Sequence, residues 1–248
     1  MKIINPFHRI LICLVIILCL LLTAKAQEQQ ARQILEATGV KGGLIAHIGC
    51  GDGKLTAALY MDDCYLVHAL DKDTEDVEKA RAYIQSLGLY GQVSVERWNN
   101  DYLPYTDNLV NLLISHEPLE VTMEEVLRVL APNGVAYFKK ERLWAKVVKP
   151  RPKEIDEWTH FLHGPDNNAV ARDSVVGPPH HIQWVGRPKF ARAHEQLASM
   201  SACVSAEGRV FYIIDEAPQV DIRLPSRWSL VARDAFSGVV LWKRSIGP

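Results

Sequence analysis

Residues Leu44-Ile45-Ala46-His47-Ile48-Gly49-Cys50-Gly51-Asp52-Gly53-Lys54 constrain the fold more than any other stretch of this chain. A short apolar run of strand length breaks into three alternating glycines and re-enters a helical pattern. That is how an α/β fold brings backbone N–H groups up to a bound ligand. The flanking segments fit a scaffold built around this loop. Ala31, Ile34, Leu35 and Ala37 give an amphipathic helix over 28–38, stopped by Gly39. Strands are predicted at 43–48, 65–70, 93–97, 109–114 and 135–138. Between them lie helices after the glycine loop, from Asp73 or Thr74 to Leu87, and from a Thr122/Glu125 capping box to Pro132-Asn133-Gly134. The alternation implies an α/β Rossmann-like parallel sheet with helices on both faces, because each crossover must return right-handed to the same edge.

Ligands of such sheets bind outside the carboxyl ends of the strands. Three features fall there: the loop of Gly49, Gly51 and Gly53; Asp71, closing the second strand; and Asn99, Asn100 and Asp101, after the third. The glycines allow a tight turn beside a ligand, and Asp71 can accept hydrogen bonds from a ribose diol. A short polar side chain from 99–101 can reach an adenine edge. The set specifies a nucleoside. A net charge of -1 leaves no basic excess for a nucleic acid partner.

On these residues the segment 28–138 resembles a class I S-adenosylmethionine-dependent methyltransferase. His47-Ile48-Gly49-Cys50-Gly51-Asp52-Gly53 is similar to the family's nucleotide-binding first motif, and Asp71 to its ribose-binding acid. Asn99 to Tyr105 resembles the adenine-side motif, and Val126 to Gly134 the helix and turn before the fifth strand. The resemblance implies S-adenosylmethionine as cofactor, held by His47, Gly49, Cys50, Gly51, Gly53, Asp71, Asn99, Asn100 and Asp101, with the methyl acceptor unnamed. His116 and Glu117, after the fourth strand, are candidates for the reacting side by location, and no catalytic base is assigned. The chain departs from the family in three places. His47 replaces the usual acidic residue that helps hold the methionine end, Asn111 replaces an Asp in the fourth strand, and no sixth or seventh strand follows Phe138.

The ends of the chain are of a different character. Lys2, His8 and Arg9 precede thirteen apolar residues, Ile10 to Leu22, and then Ala24-Lys25-Ala26, the pattern of an export signal over 1–26. The apolar core is shorter than the roughly 20 residues a spanning helix needs, so no membrane span is expected after cleavage. A periplasmic or otherwise extracytoplasmic location follows. Of the cysteines left, Cys50 and Cys64 read as two buried free thiols, and with Cys203 they show no disulfide or zinc spacing.

The methyltransferase-like region is assigned to 27–142, a linker to 143–157 around Lys149-Pro150-Arg151-Pro152-Lys153, and a second region to 158–248. In that region short strands are predicted at 182–185, 202–205, 210–214, 229–232 and 239–242, an incomplete all-β propeller-blade region. Leu230 to Trp242 resembles the blade signature of pyrroloquinoline-quinone-type (quinoprotein-like) propellers, as does Trp158 to Asn168 their opening segment. One blade cannot close a ring, so the chain reads as truncated after Pro248 or as borrowing strands from elsewhere. No residue is assigned to a quinone. No metal site is assigned either, and His160 with His163 reads as a hydrogen-bonded loop. The alternative to an enzyme is a non-catalytic exported assembly protein that meets a cell-envelope partner through its propeller.

Overall fold

A computed structural model describes residues 25–141, 143–175, 177, 182–186, 200–218 and 223–247. The expected export segment lies outside these residues apart from Lys25 and Ala26, which open helix α1 (25–38). Strand β1 (Gly43–Ile48) follows, then α2 (Lys54–Leu59), β2 (Tyr65–Asp71), α3 (Thr74–Ser86), β3 (Val93–Arg97), β4 (Val110–Ser115), α4 (Met123–Val129), β5 (Leu130–Lys140) and β6 (Leu143–Val148). These strands form one six-stranded sheet in the order β3-β2-β1-β4-β5-β6. Pairing is parallel from β3 through β5, and β6 is antiparallel to β5. The order reverses between β1 and β4, which opens a crevice outside their carboxyl ends.

The pleat splits the core between two faces. Ile45, Val67, Val95 and Ile114 pack with Ala31 and Ile34 of α1, Leu55 of α2 and Ile84 of α3. Leu44, Ala46, Leu113 and Ala136 pack on the other face with Val126 and Val129 of α4 and with Trp98, Leu103 and Tyr105 of the connection after β3. Asp73 caps α3, its Oδ1 accepting from Glu75 N at 2.7 Å.

The capping box expected at α4 forms by half. Thr122 Oγ1 accepts from Glu125 N, but the Glu125 carboxylate turns away to accept from Leu103 N at 2.7 Å and to pair with Arg128. A nearby guanidinium and a loop N–H outcompete the cap, and Arg128 holds the Glu125 carboxyl below its ordinary value.

Two boundaries differ most from the sequence reading. The residues after Phe138 do supply a sixth strand: 143–148, expected as the start of a linker, pair with β5 from Val135↔Val148 to Lys140↔Leu143. Their alternation of exposed and half-buried positions is that of an edge strand. The fifth strand begins at Leu130 rather than 135, because Leu130 already pairs with Val110 and Pro132-Asn133-Gly134 loops out as an irregularity before Val135↔Leu112.

Beyond residue 200 a four-stranded antiparallel sheet runs in the order β10-β9-β8-β7, with β7 (Met200–Ala206), β8 (Arg209–Asp215), β9 (Trp228–Asp234) and β10 (Val240–Ser245). Residues 182–185, expected as a strand, are irregular: Ile182 and Val185 are about four-fifths exposed and, among the described residues, pair with no strand. The turn into β10 is made by Asp234, whose Oδ1 accepts from Phe236 N, Ser237 N and Ser237 Oγ.

This second sheet touches the first at the amino ends of its strands. Asn111, at the start of β4, accepts from Leu44 N through Oδ1 and donates through Nδ2 to Asp234 Oδ2 at 2.9 Å. Cys64, just before β2, donates its thiol to Leu241 O at 2.6 Å and is half-buried rather than buried as expected, because it sits at the sheet's edge and not in its core. A cleft of about 710 Å³ lies along this contact, bordered by Lys41, Arg151 and Arg209. The carboxyl ends face the opposite way.

Candidate functional site at the carboxyl edge

The loop after β1 is fastened from below and open above. Gly49 N donates to Leu70 O at 2.8 Å, and Gly51 N to Asp71 Oδ2 at 3.0 Å. Asp71 Oδ1 accepts from Asp73 N, so one carboxylate fixes both the glycine loop and the entry to α3. A carboxylate has about four acceptor positions, which leaves the far side of Asp71 able to take further donors. A Cβ placed on Gly49 or on Gly51 would meet nothing within 4 Å, so free space lies against the loop.

Gly53 differs from its two neighbours. A Cβ there would stand 2.7 Å from Ala80 Cβ, and its φ is +76°, so Gly53 is required by close packing of the α2 start on α3. Cys50 points into the core at 6% exposure, and burial beside Asp71 pushes its thiol up to about 12. It packs rather than reacts.

Asn99, Asn100 and Asp101 are exposed at the tip of the connection after β3. Its base is held by Trp98 N on Asp71 O, by Trp98 Nε1 on Tyr102 O at 2.8 Å, and by Glu125 on Leu103 N. Among the described residues these three side chains have no hydrogen-bond partner, so the tip lies near Asp71 through its anchored base. Lys72, after β2, pairs with Glu120, after β4, across the same edge.

On the α1 face of the edge lies a polar and aromatic cluster that the sequence reading found only in part. His47 is 2% exposed, and its Nδ1 lies 2.8 Å from Thr56 Oγ1. Burial, with His116 adding to it, pushes the imidazole down to about 3, so the ring is neutral. His116 stands edge-on to it at 5.8 Å between centroids and accepts from Gln30 Nε2 on α1 at 2.8 Å.

Trp144 of β6 packs edge-on to His116 and stacks on Tyr137 of β5 at 4.5 Å. Between this aromatic pair and Gln29, Gln30 and Gln33 is a cavity of about 600 Å³. Glu117, paired with His116 in the sequence reading, is exposed, and its backbone is tied to Ser115 Oγ. Thr56, Gln30 and Trp144 were not anticipated. A signal for Gln30 existed in the glutamine run of the first helix, whereas Trp144 depends on a strand that the linker composition concealed.

In the second region His163 Nε2 meets Asp156 Oδ2 at 2.6 Å while His160 Nδ1 faces the Thr159 hydroxyl, so the two histidines turn to different partners.

A family model described as a methyltransferase domain matches residues 45–134, which run from β1 to the turn inside β5. Methyltransferase GfsG of Streptomyces halstedii is 30% identical over 118 residues, covering 45% of this chain and 42% of that protein. The ribosomal protein L11 methyltransferase of Anoxybacillus flavithermus is 29% identical over 128 residues, covering 50% of this chain and 38% of the relative. The chain thus spans about two fifths of the length of these curated relatives. Among solved structures, a candidate S-adenosyl-L-methionine-dependent methyltransferase of Methanococcus maripaludis is 25% identical with a TM-score of 0.43, over 46% of this chain and 55% of that one.

Proposed function

We propose that residues 27–142 form an S-adenosylmethionine-binding, methyltransferase-like domain whose cofactor lies over Gly49 and Gly51 with its ribose diol on Asp71. The observation that carries this reading is the open face of a glycine loop already hydrogen-bonded to that carboxylate. The match of residues 45–134 to a methyltransferase domain supports it. Gly53 and Cys50 serve the loop from behind, and Asn99, Asn100 or Asp101 would meet the adenine. Bound S-adenosylmethionine supplies an electrophilic methyl group. The protein's own part is to align an acceptor with it, since much of the rate of such transfers comes from positioning. The cavity walled by Tyr137 and Trp144 is the acceptor's place in this reading, and its acceptor is unnamed.

The test is calorimetric titration of the full chain with S-adenosylhomocysteine. Losing a charged hydrogen-bond acceptor is worth about 1.5–3 kcal/mol, so Asp71→Ala should weaken binding by roughly 10- to 100-fold. No heat and no thermal shift with the unaltered chain would refute the reading.

A second reading, assembly without turnover, is favoured by the four-stranded sheet, in which β10 is an edge strand that pairs, among the described residues, with β9 alone and carries Trp242 at 42% exposure. In it the sheet is one blade of a quinoprotein-like propeller, recruiting a cell-envelope protein after export through residues 1–26. Nucleoside binding without methyl transfer to any small acceptor, together with a β10-dependent partner recovered from the cell envelope, would favour it.

A further inference from the structure

Among the described residues His47 Nε2 has no hydrogen-bond partner, and the residue is 2% exposed. Buried polar groups are nearly always paired, so an orphan beside an open loop calls for a ligand atom. The polarity of that orphan can be deduced. Thr56 is fully buried, and the hydrogen bond its hydroxyl makes among the described residues is to His47 Nδ1. The Thr56 hydroxyl has one proton to donate and, among the described residues, no other acceptor for it, so Nδ1 accepts and the ring's proton sits on Nε2. The orphan is a donor.

His116 Nε2 accepts from Gln30, which places the His116 proton on Nδ1. Lys139 lies over the Trp144 ring that packs on His116. Asp71, the carboxylate whose field reaches His47, takes Gly51 N and Asp73 N and keeps its remaining acceptor positions for the ribose diol, and Glu117 is exposed. The acceptor left open on α1 is Gln27 Oε1, a neutral amide oxygen.

We infer that His47 Nε2–H seats a carboxylate on the tail of the bound nucleoside, so that this site selects its cofactor by an acidic group rather than by an ammonium. The inference rests on the nucleoside reading above and adds the chemistry of the tail. The imidazole acts as a neutral donor, which keeps it from repelling Lys139 or His116.

The test is calorimetry of the full chain at pH 7.5 with S-adenosylhomocysteine, its decarboxylated analogue, its deaminated analogue and adenosine. Removing the carboxylate should weaken binding about tenfold or more, the scale of a hydrogen bond to a charged group, and removing the amine should weaken it by less than about threefold. In His47→Leu the carboxylate preference should vanish while adenosine binds as it does to the unaltered chain. The inference is overturned if the decarboxylated analogue binds as tightly as S-adenosylhomocysteine, or if the amine proves the more important group. Adenosine binding without discrimination between tails overturns this inference and leaves the nucleoside reading standing. Failure of all four ligands to bind overturns both.

Discussion

The two kinds of glycine in one loop give opposite mutational signatures. In Gly53→Ala the new Cβ would stand 2.7 Å from Ala80 Cβ and 2.8 Å from Ala80 Cα, both atoms of a rigid helix, at a φ of +76°. The left-handed conformation costs a non-glycine residue about 1–2 kcal/mol. Forcing α3 away from α2 adds the usual overpacking cost of about 1–3 kcal/mol, for a total of about 2–5 kcal/mol. In Gly49→Ala, at φ +72° with nothing within 4 Å, only the first of these applies. Urea unfolding followed by tryptophan fluorescence reads the difference, because Trp98 is buried and bonded through its backbone N–H to Asp71 O. Gly53→Ala should lower the midpoint distinctly more than Gly49→Ala. Gly49→Ala should instead lose S-adenosylhomocysteine, since its methyl fills the space against the loop. Equal stability losses, or a Gly49→Ala variant that binds normally, would refute the division of roles.

Two further outcomes follow from the core and from the contact between the sheets. His47 takes up a proton near its ordinary value of 6.5 when unfolded but only at about 3 when folded, so the stability it contributes is present above pH 6.5 and is lost as pH falls toward 3. The slope is about 1.4 kcal/mol per pH unit, and the difference in unfolding free energy between the unaltered chain and His47→Leu should narrow across this window. A difference independent of pH would contradict the buried neutral ring. Asn111→Asp replaces an amide donor 2.9 Å from Asp234 Oδ2 with a second carboxylate. It should cost about 2 kcal/mol at neutral pH and less below pH 4, where the pair can share a proton. An unchanged thermal midpoint at pH 7 would dismiss the contact.

The parallel part of the sheet was legible because each of its elements is long enough to show its period. The α3 stripe of Val77, Ala80 and Ile84 and the doubly buried run of β4 are unambiguous on hydrophobicity alone. The sixth strand was hidden because an edge strand buries little. Leu143, Lys146 and Val148 are exposed or nearly so, and a charged Pro-rich segment follows them. Within the site, Asp71 and the loop were legible from spacing, since the next strand necessarily ends beside the first.

The roles of individual glycines were not legible, because Gly53 differs from Gly49 only in what α3 places against it. Asn111 read as a departure within the methyltransferase-like motif. Its position at the amino end of β4 gives it a structural task instead, joining Leu44 of β1 to Asp234 of the second sheet. Glu125 likewise read as half of a capping box, and only the fold brings Leu103 N and Arg128 within its reach.

The most direct test of a nucleoside site at the carboxyl edge is a crystal structure of the full chain grown with S-adenosylhomocysteine. Ligand density is expected across Gly49 and Gly51, with both ribose hydroxyls within hydrogen-bond distance of Asp71 and a tail carboxylate at His47 Nε2. Density at the amino-edge cleft instead, or an empty loop at millimolar ligand, would contradict it.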